Sequence, residues 1–329
     1  MSQLISKGNE LLNKLTENRY WKGLAVLGAL AVSKYVYKAL SIGVDFLIHL
    51  LPLEKNHLQR YGEGSWAVVT GASDGIGKSF CYQLAKRGFN IVLIARNEDK
   101  LKSVAFDITA KYPKVQTQII VADFSKAASV EFFNDIIIQL GDLDVSVLVN
   151  NVGTVARGMF HTYKRPDMIN LLVINCLPVL ILSHHFIQRF SKRQHKSAII
   201  NLSSCTGLIP ASSAPLYSPS KAYIYHLTQA LAAKYGQQID FLCLMPSIVT
   251  TGMTGNLVNF MSVTPDQCTE GALNHLRRRT WTFATWRHYI ICSIYGSADY
   301  FTRLYYKLAY GNKVNLKVDR NSFTPDLKL

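Results

Sequence analysis

From residue 65 onward, short apolar runs rich in β-branched residues alternate with longer stretches of helical character. "WAVVT" (66–70), "NIVLIA" (90–95), "TQIIVAD" (117–123), "VSVLVNN" (145–151), "SAIINLSS" (197–204) and "IDFLCLMP" (239–246) predict six strands. Between them, "KSFCYQLAKRG", "NEDKLKSVAFDITAKY", "VEFFNDIIIQL" and "MINLLVINCLPVLILSHHFIQRF" predict helices, and a fifth runs through "LYSPSKAY". Strands apolar on both faces, each followed by a helix, predict an α/β domain with a doubly wound parallel sheet covered on both sides. Such sheets bind ligands beyond the carboxyl ends of their strands.

The pattern changes at both ends. Before residue 61, "GLAVLGALAV" (23–32) is apolar but shorter than the ~20 residues that a membrane span requires. The continuation carries Lys34, Lys38, Asp45 and His49, which at helical spacing share a stripe roughly 60° wide. This suits a helix embedded at an interface, or a tilted one whose polar stripe meets a partner. The late start of the apolar run argues against a cleaved signal peptide. Beyond residue 270, "WTFATWRHYIICSIYGSADYFTRLYYKLAYG" is apolar and aromatic, with Asp299, Arg303 and Lys307 repeating every four residues. Three segments are therefore expected: a membrane-associated helical segment at 1–60, a catalytic domain at 61–270, and a helical extension at 271–329 that covers the substrate side or touches a bilayer.

Length and charge narrow the functions. A chain of 329 residues can bury a substantial core. A formal charge of +15 suggests an anionic ligand, acidic lipid or nucleic acid as partner. The basic residues are scattered and no nucleic-acid-binding motif occurs, so nucleic acid is not expected. Arg277–Arg279 is one compact basic cluster. Cys81, Cys176, Cys205, Cys243, Cys268 and Cys292 form no CxxC pair, which predicts free thiols in a reducing compartment and no metal site.

Two constellations carry chemistry. "TGASDGIG" places Gly71, Ser73, Asp74, Gly75, Ile76 and Gly77 where the first strand passes into the first helix. Glycines there permit a tight turn and close backbone approach to a pyrophosphate, and the helix N-terminus adds free amides. The spacing is GxxxGxG rather than GxGxxG. The second constellation is Tyr217 and Lys221, one helical turn apart on one face. A nearby ammonium favours the phenolate and fits such a pair for proton transfer, although YxxxK alone also describes an ordinary surface helix. Arg96 closes the second strand where an acidic residue would select NAD, and its guanidinium fork suits a 2′-phosphate. NADP(H) is the expected cofactor.

Taken in order, TGxxxGxG, "NNVG", a serine thirteen residues before a tyrosine, and YxxxK resemble the short-chain dehydrogenase/reductase superfamily between about Trp66 and Met253. "YGEGSWAVVTGASDGIGKSF", "LVNNVG" and "SPSKAY" resemble its membrane-associated branch of 17β-hydroxysteroid dehydrogenases and very-long-chain 3-oxoacyl-CoA reductases. The resemblance implies Tyr217 as proton donor, Lys221 as its electrostatic partner and ribose ligand, Ser204 on the substrate oxygen, and Asn175 in a proton relay. It implies that Asn150 and Gly153 shape the cofactor side, Asp123 meets the adenine, and Thr251 meets the carboxamide. Ser203 is expected to be structural. Ser247 departs from the pattern, standing where relatives carry glycine. The resemblance further implies a ketone substrate, either acyl-CoA or steroid, and an endoplasmic reticulum membrane location facing the cytosol. The helix containing Asn175 is an implied homodimer surface. A cofactor-binding scaffold without activity is the non-enzymatic alternative.

Overall fold

The computed structural model describes residues 6–8, 10, 19–50, 60–211 and 213–297. The chain divides into two compact units, Met1–Leu53 and Glu54–Leu329. In the first, helix α1 (Arg19–Leu50) exposes Trp21, Leu24, Leu27, Leu30, Tyr35, Tyr37, Leu40 and Leu47. The side chains of Lys34, Lys38, Asp45 and His49, and all of Asp299, Arg303 and Lys307, lie outside the described residues.

The second unit is built on one parallel sheet. Its strands are β1 (Trp66–Thr70), β2 (Asn90–Ala95), β3 (Thr117–Val121), β4 (Val145–Asn150), β5 (Ser197–Leu202), β6 (Ile239–Leu244) and β7 (Trp281–Thr282). They lie side by side in the order β3-β2-β1-β4-β5-β6-β7, every pairing parallel. All six strands expected from the sequence form. β7 is additional: two residues are too few for alternation to show, and it exists because Cys243 and Leu244 offer it a partner edge.

Helices cover both faces. α2 (Gly75–Lys86), α3 (Glu98–Lys111) and α7 (Pro265–His275) bury Phe80, Leu84, Leu101, Ile108 and Ala272 on one side. α4 (Val130–Leu140), α5 (Arg165–Phe190) and α6 (Tyr217–Tyr235) cover the other, where Phe133, Ile136, Leu182 and Phe186 pack on β4 and β5. α8 (Trp286–Ser297) follows β7 and contributes Tyr289 and Cys292 to a third cluster beside β6. α5 is, among the described residues, the one helix long and apolar enough to cross a membrane. Its buried Leu171, Val179, Leu182, Phe186 and Phe190 account for that composition by packing.

A buried polar chain locks the layers. Asn150 donates to Asn201 Oδ1 at 2.9 Å and to Ser183 Oγ at 3.2 Å, and Asn201 donates to Thr228 Oγ1 at 3.0 Å. The four residues come from β4, β5, α5 and α6, the elements that carry the candidate site. Removing one partner of a buried hydrogen bond costs the desolvation of the group left behind. Asn201→Ala is accordingly expected to destabilise the fold by about 1–3 kcal/mol. Chemical denaturation checks this, and an unchanged midpoint would refute the locking role.

Candidate active site

β1 and β4 are neighbours whose following helices depart to opposite faces, so a crevice opens between their carboxyl ends. Thr70 ends β1, and its Oγ1 accepts from the backbone N–H of Asn151 at 2.9 Å and of Val152 at 3.1 Å. Asn151 answers by donating to Thr70 O at 2.8 Å and Gly71 O at 3.3 Å. Gly71 then turns at φ +66° and Gly75 at φ +55°, backbone angles that favour glycine. Asp74 caps α2 by accepting from Gly75 N at 2.7 Å. A side chain at Gly77 would collide with the Gly71 carbonyl, so the third glycine lets the helix start against the turn. A Cβ at Gly75 would lie 3.1 Å from the Thr251 methyl, which brings the loop after β6 to the same spot.

Above this floor lies a cleft of about 560 Å³, lined by Gly71, Asp74, Gly75, Ile76, Gly153, Ser204, Tyr217, Lys221 and Thr251 among others. Ser73 is half-buried within the turn. Tyr217 is the first residue of α6, and Ser220 Oγ bonds back to its carbonyl at 2.7 Å. Lys221, one turn on, is 3% exposed and donates from Nζ to Leu202 O at 2.9 Å. Its ammonium sits 5.5 Å from the Tyr217 ring centroid, over the ring face. Burial pushes the Lys221 pKa down to about 8. Burial likewise pushes Tyr217 up to about 12, with a hydrogen bond to Ser204 and the charge of Arg157 pulling it back. The sequence suggests that Lys221 lowers this phenol, but burial outweighs every neighbour here and the ammonium lies over the ring. Ser204 stands 8% exposed at the end of β5 and accepts from Thr206 N at 3.3 Å. Ser203 also borders the cleft, and its hydroxyl donates to Lys221 O at 2.6 Å. Asn175 is fully buried in α5; it accepts from Thr154 N at 2.8 Å and donates to Thr154 O and Ser220 Oγ, each at 3.0 Å. A side chain at Gly153 would start 3.3 Å from both Asn175 Oδ1 and Lys221 Nζ.

This fold and cleft agree with comparisons to known proteins. A family model described as short chain dehydrogenase matches residues 65–261. The chain belongs to the short chain dehydrogenase family. It is 33% identical over 243 residues to a very-long-chain 3-oxoacyl-CoA reductase of Aspergillus terreus, covering 71% of this chain and 67% of that one. It is 37% identical over 255 residues to the human inactive hydroxysteroid dehydrogenase-like protein 1, covering 72% of each. A solved 7β-hydroxysteroid dehydrogenase structure superposes with a TM-score of 0.68 at 25% identity, over 76% of this chain and 98% of that one.

As a short-chain dehydrogenase fold, the crevice is one that binds a nicotinamide cofactor, and its residues fit one. Positive-φ glycines, a helix N-terminus and a position that admits no Cβ make a cradle for a pyrophosphate. Arg96 is exposed at the end of β2, next in the sheet to Asp123 after β3. The Asp123 carboxyl is held below its ordinary range, first by the Ser125 backbone N–H and further by Arg96 and Lys126. Neither residue borders the cleft itself; along the same sheet edge Arg96 follows β2, the neighbour of β1, and Asp123 follows β3, one strand farther out. Asn150 is 1% exposed and bonded into the layer lock, whereas its neighbour Asn151 reaches the cleft.

Three contributions were not foreseen. Asn151 ties the glycine turn to β4, and the doubled asparagine in "NNVG" was its only trace. Arg157 lines the cleft and acts on Tyr217, with no motif to mark it. His288 of α8, fully buried, accepts from Ser247 N at 3.3 Å and lies 3.1 Å from Ile248 O, holding the segment where serine replaces glycine. Arg277–Arg279, expected on the substrate side, feeds β7 from its amino end. The cleft opens beyond the carboxyl ends, so the cluster does not line it.

Gly77→Ala tests the cradle. The added methyl must displace the Gly71 carbonyl, so dinucleotide affinity measured by calorimetry is expected to fall at least tenfold. Unaltered affinity would show that the turn does not shape the pyrophosphate site.

Proposed function

We propose that this short-chain dehydrogenase is an NADPH-dependent ketoreductase, acting on long-chain 3-oxoacyl-CoA to give the 3-hydroxyacyl product. The observation that carries the reading is the convergence of Ser204, Tyr217 and Lys221 on a cleft floored by the glycine turn. When bound, the nicotinamide supplies a hydride for the carbonyl carbon. Tyr217 gives its phenolic proton to the carbonyl oxygen, and Ser204, close enough to draw that phenol's pKa back down, orients the oxygen. Lys221 fixes the phenol through its charge and binds the ribose hydroxyls. Asn175 holds Thr154 and Ser220 on either side of the lysine, keeping a path by which Tyr217 regains its proton. Asp123 meets the adenine, Thr251 the carboxamide, and Asn150 and Gly153 shape the cofactor's inner side.

Substrate class follows from charge and surroundings. Relatives bear the name very-long-chain 3-oxoacyl-CoA reductase, and a coenzyme A head is polyanionic. Arg157 at the cleft supports an anionic head there, a part that the Arg277–Arg279 cluster is not placed to play. The exposed apolar side chains of α1 support attachment to a membrane, which we assign to the endoplasmic reticulum with the catalytic unit facing the cytosol. Ile169, Leu172 and Leu180 on α5 are exposed on one helical face and support a homodimer through that helix.

Tyr217→Phe is expected to keep the fold and NADPH affinity and to lose roughly 10²–10⁴-fold in turnover, since only the proton donor goes. Wild-type turnover in the variant would sink the mechanism. Arg96→Asp should weaken NADPH much more than NADH, because it replaces attraction to the 2′-phosphate by repulsion; equal losses for both cofactors would remove that assignment. Arg157→Gln is expected to raise KM for a 3-oxoacyl-CoA severalfold and leave that for a neutral 17-oxosteroid unmoved. Steroid reduction without any turnover of the thioester would make the steroid the substrate.

A further inference from the structure

Two segments border the mouth of the cleft, and both are apolar at their tips. The first follows β4: Arg157 lines the cleft, and Met159 and Phe160 beyond it are 67% and 57% exposed. The second follows β6: Met253 lines the cleft, and Leu257, Val258 and Phe260 are 46%, 78% and 74% exposed. α8 extends this second lip with Trp286 and Ile290, at 39% and 44%. The Arg287 guanidinium joins the parts, lying 5.6 Å from the ring of Phe260 and 5.6 Å from that of Trp286. Single exposed apolar residues are ordinary on a protein surface. A group of them around one opening marks an interaction site.

Charge selects the occupant. No charged residue occurs from Thr250 to Thr264, and the one charge that joins this stretch to α8, Arg287, is a cation. The first lip carries Arg157, Lys164 and Arg165, all exposed, and no acid before Asp167. An apolar tip ringed by cations is the pattern of a surface that sits at the acyl boundary of an anionic membrane, its cations among the phosphates. A second copy of this chain seated on the same face would set these cations against one another.

We infer that this rim docks the catalytic unit onto an anionic bilayer, so that the cleft opens into the lipid phase and the apolar ketone enters from the membrane rather than from water. The docking stands on the rim alone; the ketone as cargo rests on the proposed function.

The full-length chain, reconstituted in phosphatidylcholine vesicles containing phosphatidylserine, provides the test. An environment-sensitive fluorophore is attached at Val258→Cys or Phe260→Cys, with Phe106→Cys on α3 and Ile138→Cys on α4 as exposed controls, and the labelled wild type gives the background of native thiols. Blue-shifted emission and quenching by spin-labelled lipid are expected at 258 and 260, at least threefold above the controls. Quenching equal at all four positions, or none at 258 and 260, overturns docking. A shift lost on dilution to one copy per vesicle assigns the face to a second copy and overturns it as well. Equal penetration into neutral vesicles overturns the role of the cations. In the activity arm, Val258→Asp with Phe260→Asp should raise KM at least tenfold for a vesicle-borne long-chain ketone and leave a short water-soluble ketone unaffected; equal effects on both overturn entry from the lipid. A chain that reduces no ketone defeats the proposed function, and the fluorophore result then still decides the docking.

Discussion

The hydroxyl of Thr70 accepts two backbone N–H groups from the far side of the central crevice, and the rest of the site hangs on that junction. Parallel strands have no hairpin to hold their ends together, so the carboxyl edge of β1 and β4 would otherwise splay where their helices diverge. With Thr70 and Asn151 tied to each other, Gly71 is fixed in its left-handed turn and α2 begins directly against β4. The helix N-terminus is thereby aimed at the crevice. Side-chain bulk at Gly71 is barred by Asn151 and Val152, and at Gly77 by Gly71 itself. The anion cradle is thus a consequence of how closely two strand ends are drawn together.

The Tyr217–Lys221 side of the cleft is built by burial. Lys221 has lost nearly all contact with water and keeps a hydrogen bond to the end of β5. Desolvation disfavours its charged form and equally disfavours the ionised form of Tyr217. The two groups are therefore pushed apart in proton affinity, the lysine falling to about 8 and the phenol rising to about 12, so that the phenol keeps its proton. Asn175 supports them from α5 without bordering the cleft, because its amide is spent on Thr154 and Ser220. A residue in this place positions backbone and helix.

Distance from the sheet centre sorts the remaining features. Close to β1, β4 and β5, side-chain amides and hydroxyls bond across the layers, with Asn150 Oδ1 left without a partner, and the hydrophobic layers are filled. Farther out, past the strand ends, the loops after β4 and β6 present apolar side chains that nothing within the described unit covers. His288 marks the boundary between these regimes. It is buried, yet both contacts it makes to the loop after β6 fix that loop's path past the cleft.

The sequence by itself determined the parallel α/β architecture, the glycine turn and the Tyr217–Lys221 pair. Each is local: strand runs, a strand-to-helix junction and one turn of helix all report within a few residues of themselves. The family resemblance followed from the order of those local signals. What only the tertiary structure decided depends on distant segments meeting. Asn151 rather than Asn150 faces the crevice because Asn150, the last residue of β4, is held by Ser183 and Asn201, while Asn151 just past the strand reaches back to Thr70 and Gly71. Arg277–Arg279 falls at the amino edge because β7 joins the sheet parallel to β6, and a two-residue strand gives no periodic warning of its direction. Arg157 reaches Tyr217 across a fold, not along a helix. The level of the tyrosine's proton affinity was likewise beyond sequence reasoning, since spacing shows which charge stands near a phenol and only packing shows how much water is left beside it.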